Sequence, residues 1–346
     1  MKAYLLYRDR DFDWNAGLPA WHEDLIRDLE LGTLVQAMAA GDKFLAEATA
    51  KVLLTSLDDP QAIRYRQQVL ADCLDRPDVI RDMYAIATGA LQDKRGLWGG
   101  YGGSYQNASS NLSGAVNYLE AYVARLRQLR QLADDHASEF RSDGLGRLFA
   151  TLRRDLHDGY FEEISDHLKR LRFRPGVLIS AQLDQDNSPA GFVLRDPGYK
   201  RRGWAERLGI GPRTAYSFTI PPRDEAGGQI LADLTSRGIN LVANAAAQSA
   251  DHIGSYFTML RAELGFYVGC LNLADRLAAK QAPVTFPDPA PLSPPVFSCT
   301  DLRDTCLELQ SPAPSWATTC RPTGSRWSSS PALTPAGNRR SCAAPA

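Results

Sequence analysis

The stretch 261–280, RAELGFYVGCLNLADRLAAK, decides the fold. It is the second half of a pattern that begins near Asp224, and no proline interrupts it. Apolar side chains recur at spacings of three and four, which places them on one wide stripe of a helix. The stripe consists of Ile253, Tyr256, Phe257, Leu260, Leu264, Tyr267, Val268, Leu271, Ala274 and Leu277. An unbroken helix over 224–280 would approach about 80 Å in length, so we predict one very long helix.

The composition is that of an ordinary globular protein. The chain has 346 residues and a formal net charge of −1, so no global basic field attracts it to nucleic acid. The first residues, MKAYLLYRDRDFDW, lack the apolar core of a signal peptide. No apolar run approaches the roughly 20 residues that a membrane span needs. Neither the six cysteines nor the five histidines show the spacing of a metal site. We therefore expect a cytoplasmic protein with no membrane association and no bound metal.

Helical patterns follow one another through the first part of the chain. Asp42 comes directly before an apolar-periodic segment and is predicted to be its N-cap. Asp59-Pro60 opens the next helix, with proline at the first position, where its missing N–H costs nothing. The segment 93–114 is rich in glycine and serine and predicts a loop. Trp98, Tyr101 and Tyr105 in this loop fit either packing onto the helices or, less readily, stacking on bases.

A second long helical region runs from Leu112 to Leu171, with a break predicted near Gly144. The period then changes from 3.6 to about 2. The segments VLISAQL (177–183), GFVLR (191–195) and AYSFTIP (215–221) read as short strands. A basic run accompanies them. We predict a mainly α protein: a helical core with two long antiparallel lever helices, a small β-rich insertion between them, and a disordered C-terminal tail.

Three stretches resemble the core and lever regions of the MutS family of DNA mismatch-repair ATPases. DDPQAIRYRQQVLADCLDRP (58–77) is similar to the start of that family's helical core. RAELGFYVGCLNLADRLAAKQAPVTFPDP (261–289) is similar to its long lever helix. FSCTDLRDTCLEL (297–309) resembles the region where its ATPase domain opens, although the usual His-Pro pair is missing. The resemblance covers roughly 20–309.

The resemblance implies a division of the chain into six parts. They are a helical core at 1–111, first lever helices at 112–172, a clamp-like module at 173–222, a long lever helix at 223–282, the start of an ATPase domain at 283–309 and a tail at 310–346. In this family the clamp grips DNA through the phosphate backbone. The matching basic residues are Arg195, Lys200, Arg201, Arg202 and Arg213. An ordinary solvated basic turn explains the same group equally well.

Intact members of the family are dimeric and bind ATP and Mg²⁺ through a GxxxxGK[ST] phosphate loop. This chain contains no such loop, so we expect it to hold no cofactor, to have no catalytic residues and to bind DNA only weakly. Reading the tail one base out of frame restores a strand and a phosphate loop. Its glycines would fall at Ala332, Ala336 and Gly337, its lysine at Asn338, and its Ser-Thr pair at Arg339 and Arg340. A frameshift near residue 310 is our hypothesis, and a natural low-complexity tail is the alternative.

Two further expectations limit the function. The family reads mismatches with a Phe-x-Glu motif in an N-terminal domain, for which the chain before the core is too short. The Phe161-Glu162-Glu163 sequence lies within a helical pattern, so we interpret it as structural and expect no mismatch specificity.

Without an ATPase domain, the lever end from Leu264 to Leu277 is expected to be exposed. A helical scaffold protein with no role in nucleic-acid binding remains the alternative function.

Overall fold

A computed structural model describes residues 1–98, 108–174, 176–186, 188–195, 219–221, 223–291, 297–311, 318–323 and 326–330, with only the backbone for 94–98 and 318–330. The helices are α1 His22–Asp28, α2 Leu31–Ala39, α3 Lys43–Leu53, α4 Pro60–Asp75, α5 Pro77–Trp98, α6 Ala108–His136, α7 Asp143–Asp155, α8 Asp158–Leu171, α9 Glu225–Ala279 and α10 Thr305–Gln310. The strands are β1 Leu178–Leu183, β2 Pro189–Arg195, β3 Cys299–Leu302, β4 Thr318–Thr323 and β5 Arg326–Ser330. A short 3₁₀ turn, Ala137–Glu139, follows α6.

The prediction of a mainly α protein built on one long helix is confirmed. Helix α9 is continuous over 55 residues. The two helix starts inferred from sequence are also confirmed. The Asp42 carboxylate accepts hydrogen bonds from the backbone N–H groups of Phe44 and Leu45, and Asp59 accepts one from Gln61 with Pro60 at the first helical position. Each of these bonds satisfies an N–H group that the helix itself leaves without a partner.

The helical region predicted from Leu112 to Leu171 forms three helices, one more than the single predicted break implies. Helix α6 ends at His136, and α7 begins at Asp143, close to the predicted break. A second break separates α7 from α8, where the imidazole Nδ1 of His157 accepts a hydrogen bond from the Tyr160 N–H at 3.1 Å. His157 is therefore the N-cap residue of α8.

The chain forms two compact units, and helix α9 contributes to both. The first unit contains Met1–Thr88, Leu129–Arg154 and Thr258–Ala346. Its core includes Leu5, Leu6 and Phe12 from the N-terminal segment, which has no helix or strand. The expectation that the end of the lever is exposed is wrong. Leu264, Tyr267, Leu271 and Leu277 are all buried, because α2, α3 and the N-terminal segment contribute partners to this part of α9.

The second unit contains Gly89–Gln128 and Asp155–Phe257. Helices α6 and α8 run antiparallel within it. The guanidinium of Arg127 lies 4.5 Å from the ring centre of Phe161 at one end, and Arg172 bonds to Glu120 at 2.6 Å at the other. The buried stripe of α9 in this unit includes one isoleucine and three alanines: Ile239, Ala243, Ala246 and Ala250.

The described strands form two small antiparallel sheets. Strands β1 and β2 correspond to two of the three strands predicted between the helical stretches, and they pair as a two-stranded sheet. The third predicted strand, 215–221, is not observed in its described part, 219–221, and the remainder lies outside the described residues. Strands β3, β4 and β5 pair in that order. Two of them lie in the segment predicted to be disordered, and residues 312–317, 324–325 and 331–346 of that segment lie outside the described residues.

Candidate nucleic-acid interface

The β1–β2 hairpin is the part of the second unit that corresponds to the predicted clamp-like module. Leu178 pairs with Arg195 at the open end of the hairpin, and Leu183 pairs with Pro189 next to the turn. Asp184 closes the turn by donating its backbone N–H to the carbonyl of Ser188 at 2.9 Å. The carboxylate of Asp184 also accepts from the N–H of Gln185 at 2.7 Å. Turn formation therefore accounts for this aspartate, because an Asp side chain readily bonds to nearby backbone N–H groups in turns.

One face of the hairpin packs on helix α9. An added Cβ at Gly238 would lie 2.3 Å from Cδ1 of Ile179, so only glycine permits this approach. The guanidinium of Arg237 lies 5.9 Å from the ring centre of Phe192. Side chains alternate between the faces of a strand, so Ala190, Phe192 and Leu194 are partly buried while their neighbours in β2 are exposed. The hairpin is therefore anchored on one side.

The opposite face carries Arg195. Its side chain is exposed, and its Nε donates to the Ser180 Oγ across the hairpin at 2.9 Å. This bond uses one N–H of the guanidinium and fixes its direction, while the terminal amino groups stay available. A guanidinium presents five N–H donors, a geometry that suits phosphate oxygens. Arg195 is the one predicted contact residue that lies within the described part of the chain.

Further arginines surround the hairpin along the chain. Within the described residues, Arg170, Arg174, Arg195 and Arg223 form no ion pair. Arg172 differs, because it binds Glu120 and Asn117 of α6 at 2.6 and 2.8 Å and thereby holds the end of α8 in place. Exposed acidic residues, Asp184 and Asp186, lie at the turn end. Along the chain, Arg174 precedes β1 by four residues and Arg195 ends β2, so both lie toward the open end of the hairpin and away from the acidic turn.

The other sequence-predicted residues have different outcomes. Lys200, Arg201, Arg202 and Arg213 lie outside the described residues, so their placement as phosphate contacts stays a prediction. The phosphate-loop positions at 332–340 and the aromatic residues Tyr101 and Tyr105 also lie outside them, as does the side chain of Trp98. Phe161 is buried, with 3% of its surface exposed, and the guanidinium of Arg127 covers its ring. The structural interpretation of the Phe-Glu-Glu sequence is therefore confirmed.

A buried carboxylate in the first unit was missed at the sequence level. Glu263 is fully buried on α9, where its two oxygens accept the backbone N–H groups of Leu5 and Phe12 at 2.7 and 2.8 Å. Burial raises the pKa of Glu263 to about 7, although these hydrogen bonds act in the opposite direction. Its signal in the sequence was an acidic residue one turn before Tyr267 of the apolar stripe. This group orders the N-terminal segment.

Asp72 holds the start of α7 in a similar way. Its carboxylate accepts from the N–H groups of Arg141 and Ser142, the latter at 2.7 Å.

Among the described residues, no group of three or more His, Cys, Asp or Glu side chains could hold a metal ion. In the same part of the chain, no helix is both long and apolar enough to cross a membrane.

These features define a class of protein: a helical protein with one very long helix and a small β-hairpin inserted before it. The family model for the MutS2 N-terminal domain matches residues 58–280. This match covers more than half of the chain, and the chain therefore belongs to the MutS2 N-terminal domain family. No curated protein and no solved structure matched the chain.

Proposed function

We propose that this protein binds DNA, duplex or branched, through the phosphate backbone, with the β1–β2 hairpin and the following basic run as the contact surface. The observation that carries the proposal is the position of Arg195, which is exposed on the hairpin face opposite helix α9. Membership of the MutS2 N-terminal domain family supports it. Contacts of this kind fix position without reading sequence and weaken as salt rises.

The distribution of charge along the chain supports contact near Arg195 and away from the turn. Exposed arginines at 170, 174, 195 and 223 carry no ion pair within the described residues, so their charge is not neutralised there. The aspartates of the turn would repel phosphate. The net charge of −1 predicts weak binding, because the rest of the chain offsets this local basic group.

The test is a measurement of DNA binding as a function of salt. We expect Arg195→Ala, combined with alanine at Lys200, Arg201 and Arg202, to weaken binding to duplex and branched DNA equally. Each phosphate contact that is lost should reduce the slope of log K against log salt by about 0.9. Fluorescence anisotropy with labelled DNA measures both quantities.

Arg27→Ala is the control for the loss of positive charge. Its guanidinium is exposed but already bound by Asp24 and Asp28, and it lies in the first unit. Binding by this variant should equal that of the unaltered protein. If the quadruple variant also binds with an unchanged slope, the hairpin is not the DNA contact and the scaffold function becomes the better explanation.

A second part of the proposal concerns the residues after about 310. We infer that they are translated in a shifted frame, and that the correct frame encodes an ATP- and Mg²⁺-binding loop that couples ATP to DNA binding. The support is the restored loop, with lysine at the position of Asn338 and glycine at those of Ala336 and Gly337. The nucleotide sequence from about codon 305 onward tests it. An uninterrupted shifted frame is expected, and an immediate stop in that frame would remove this part.

A further inference from the structure

Helix α1 carries an apolar stripe that faces solvent. The backbone N–H of Leu25 donates to the Trp21 carbonyl at 3.0 Å, and that of Leu29 donates to Leu25 at 3.1 Å, so the three side chains stack one turn apart. Their exposed fractions are 74% for Trp21, 40% for Leu25 and 59% for Leu29. The helix has seven residues, none of them buried. A helix this short is only marginally stable without packing partners.

An apolar crevice lies beside this stripe. It has a volume of 120 Å³ and is lined by Ile26, Leu31, Val35, Ala50, Leu53 and Leu54, without polar surface. An apolar cavity of similar size, about 150 Å³, takes up benzene in another protein, so the crevice has room for an apolar side chain. The apolar surface continues onto α10, where Cys306 lies against the carbonyl of Glu30 and the neighbouring Leu307 is 49% exposed.

The charges around the stripe are mainly acidic. Glu23, Asp24, Asp28 and Glu30 lie on or next to α1, and Arg27 is its one basic residue. The guanidinium of Arg27 is bound by Asp24 at 2.7 Å and by Asp28 at 3.0 Å. An apolar stripe with an acidic border complements an apolar surface with a basic border. Nucleic acid, an anionic membrane and a second copy of this same acidic face would all be repelled.

We propose that the Trp21–Leu25–Leu29 stripe and its crevice form a docking site for an amphipathic helix of another protein, with basic residues beside its apolar face. One apolar side chain of that helix fills the crevice, and others cover Trp21 and Leu29. Its lysines or arginines meet the carboxylate of Glu23 and the Oδ2 atom of Asp28, whose Oδ1 binds Arg27. Helix-in-groove recognition commonly uses apolar anchors at such helical spacing. This site is separate from the hairpin and does not depend on DNA binding.

The test uses two labelled synthetic peptides and the full chain. Both peptides place leucines at helical spacing on one face; one carries lysines on its remaining positions, and the other carries glutamates. We expect the lysine peptide to bind more tightly than the glutamate peptide. The affinity for the lysine peptide should fall as the salt concentration rises. Trp21→Ser with Leu25→Ser should lower its affinity about tenfold or more. Hydrogen exchange of 22–29 should slow when the lysine peptide binds.

Matched variants separate docking from unfolding and from general stickiness. Leu241→Ser changes an apolar side chain that is 80% exposed in the second unit, and it should leave peptide binding unchanged. Glu23→Gln with Asp28→Asn keeps the stripe and should weaken binding of the lysine peptide and reduce its salt dependence. DNA binding should not change in any of these variants.

Three results would overturn the proposal. The first is equal affinity for the glutamate and lysine peptides, which would show that charge plays no part. The second is unchanged binding of the lysine peptide by the Trp21→Ser, Leu25→Ser variant while its helix content is retained. The third is a dimer of the unaltered protein that Leu25→Ser converts to a monomer, which would show that a second copy covers the stripe.

Discussion

At the scale of single residues, Glu263 links the N-terminal segment to the long helix. The two N–H groups that it binds belong to Leu5 and Phe12, whose side chains are buried in the first unit. A buried carboxylate is costly when charged, and this cost raises its pKa. The same group therefore organises the segment and makes its attachment dependent on pH.

We predict that the free energy of unfolding falls as pH rises from about 4.5 to about 7 because of Glu263. Its folded-state pKa, about 7, lies above the ordinary 4.5, so the folded state holds the proton more tightly in that window. Stability from this group is fully present below the lower value and is lost through the higher one. The difference in pKa corresponds to about 3 kcal/mol. Urea unfolding at a series of pH values measures it.

Glu263→Gln should abolish most of this pH dependence and lower stability at acidic pH. The amide cannot offer two oxygens to the N–H groups of Leu5 and Phe12, so one hydrogen bond is lost. Glu162→Gln, on the exposed side of α8, is the control and should keep the dependence. A Glu263→Gln protein whose stability still falls by the full amount over this range would contradict the assignment.

At the scale of elements, glycines in α9 mark the points of closest approach. Each costs the helix roughly 1 kcal/mol relative to alanine. In the first unit, an added Cβ at Gly269 would lie 2.4 Å from Cγ2 of Thr49, and at Gly265 it would lie 3.4 Å from Cβ of Ala48. In the second unit, a Cβ at Gly254 would lie 2.8 Å from the Tyr122 hydroxyl oxygen. The glycines therefore lower the helix propensity of α9 and permit these close contacts.

We predict that Gly269→Ala destabilises the protein by up to about 2 kcal/mol. Overpacking a buried site typically costs about 1–3 kcal/mol, which exceeds the gain of roughly 1 kcal/mol in helix propensity. Gly146→Ala is the control, because nothing lies within 4 Å of the added Cβ in helix α7. This variant should be neutral or more stable. Thermal unfolding distinguishes the two, and equal shifts in both would refute the packing argument.

At the scale of the whole molecule, the first unit is built from three stretches that are far apart in the chain. The last of these begins at Thr258, so the C-terminal part of α9 must fold onto α2, α3 and α5. Arg81 of α5 binds Asn272 and Asp275 at 2.8 Å each, and the amide of Asn272 donates to the Met38 carbonyl at 2.8 Å. Cooperative folding of this unit therefore requires α9.

We predict that a chain ending at residue 257 fails to fold the first unit. It lacks Leu260, Leu264 and Tyr267, which are fully buried there, and it lacks Glu263. Helices α2 to α4 should then exchange their backbone hydrogens rapidly. A chain ending at residue 291 is the control. It keeps α9 and the segment whose Pro287 and Pro289 carbonyls accept from Gln67 and Arg64, and it should protect these helices. Equal protection in both chains would disprove the dependence on α9.

The sequence by itself determined the helices, the long helix and the hairpin, because these depend on local periodicity, caps and turn residues. Asp42 and Pro60 are examples of such local signals. The resemblance to the family could also be recognised from local stretches of sequence. Only the tertiary structure decided that Glu263 binds the N-terminal segment and that the end of α9 is buried. It also decided that Arg195 faces away from α9 while Trp21 and Leu29 stay uncovered. These features arise from contacts between residues far apart in the chain, and helix periodicity carries no information about which partner will cover an apolar stripe.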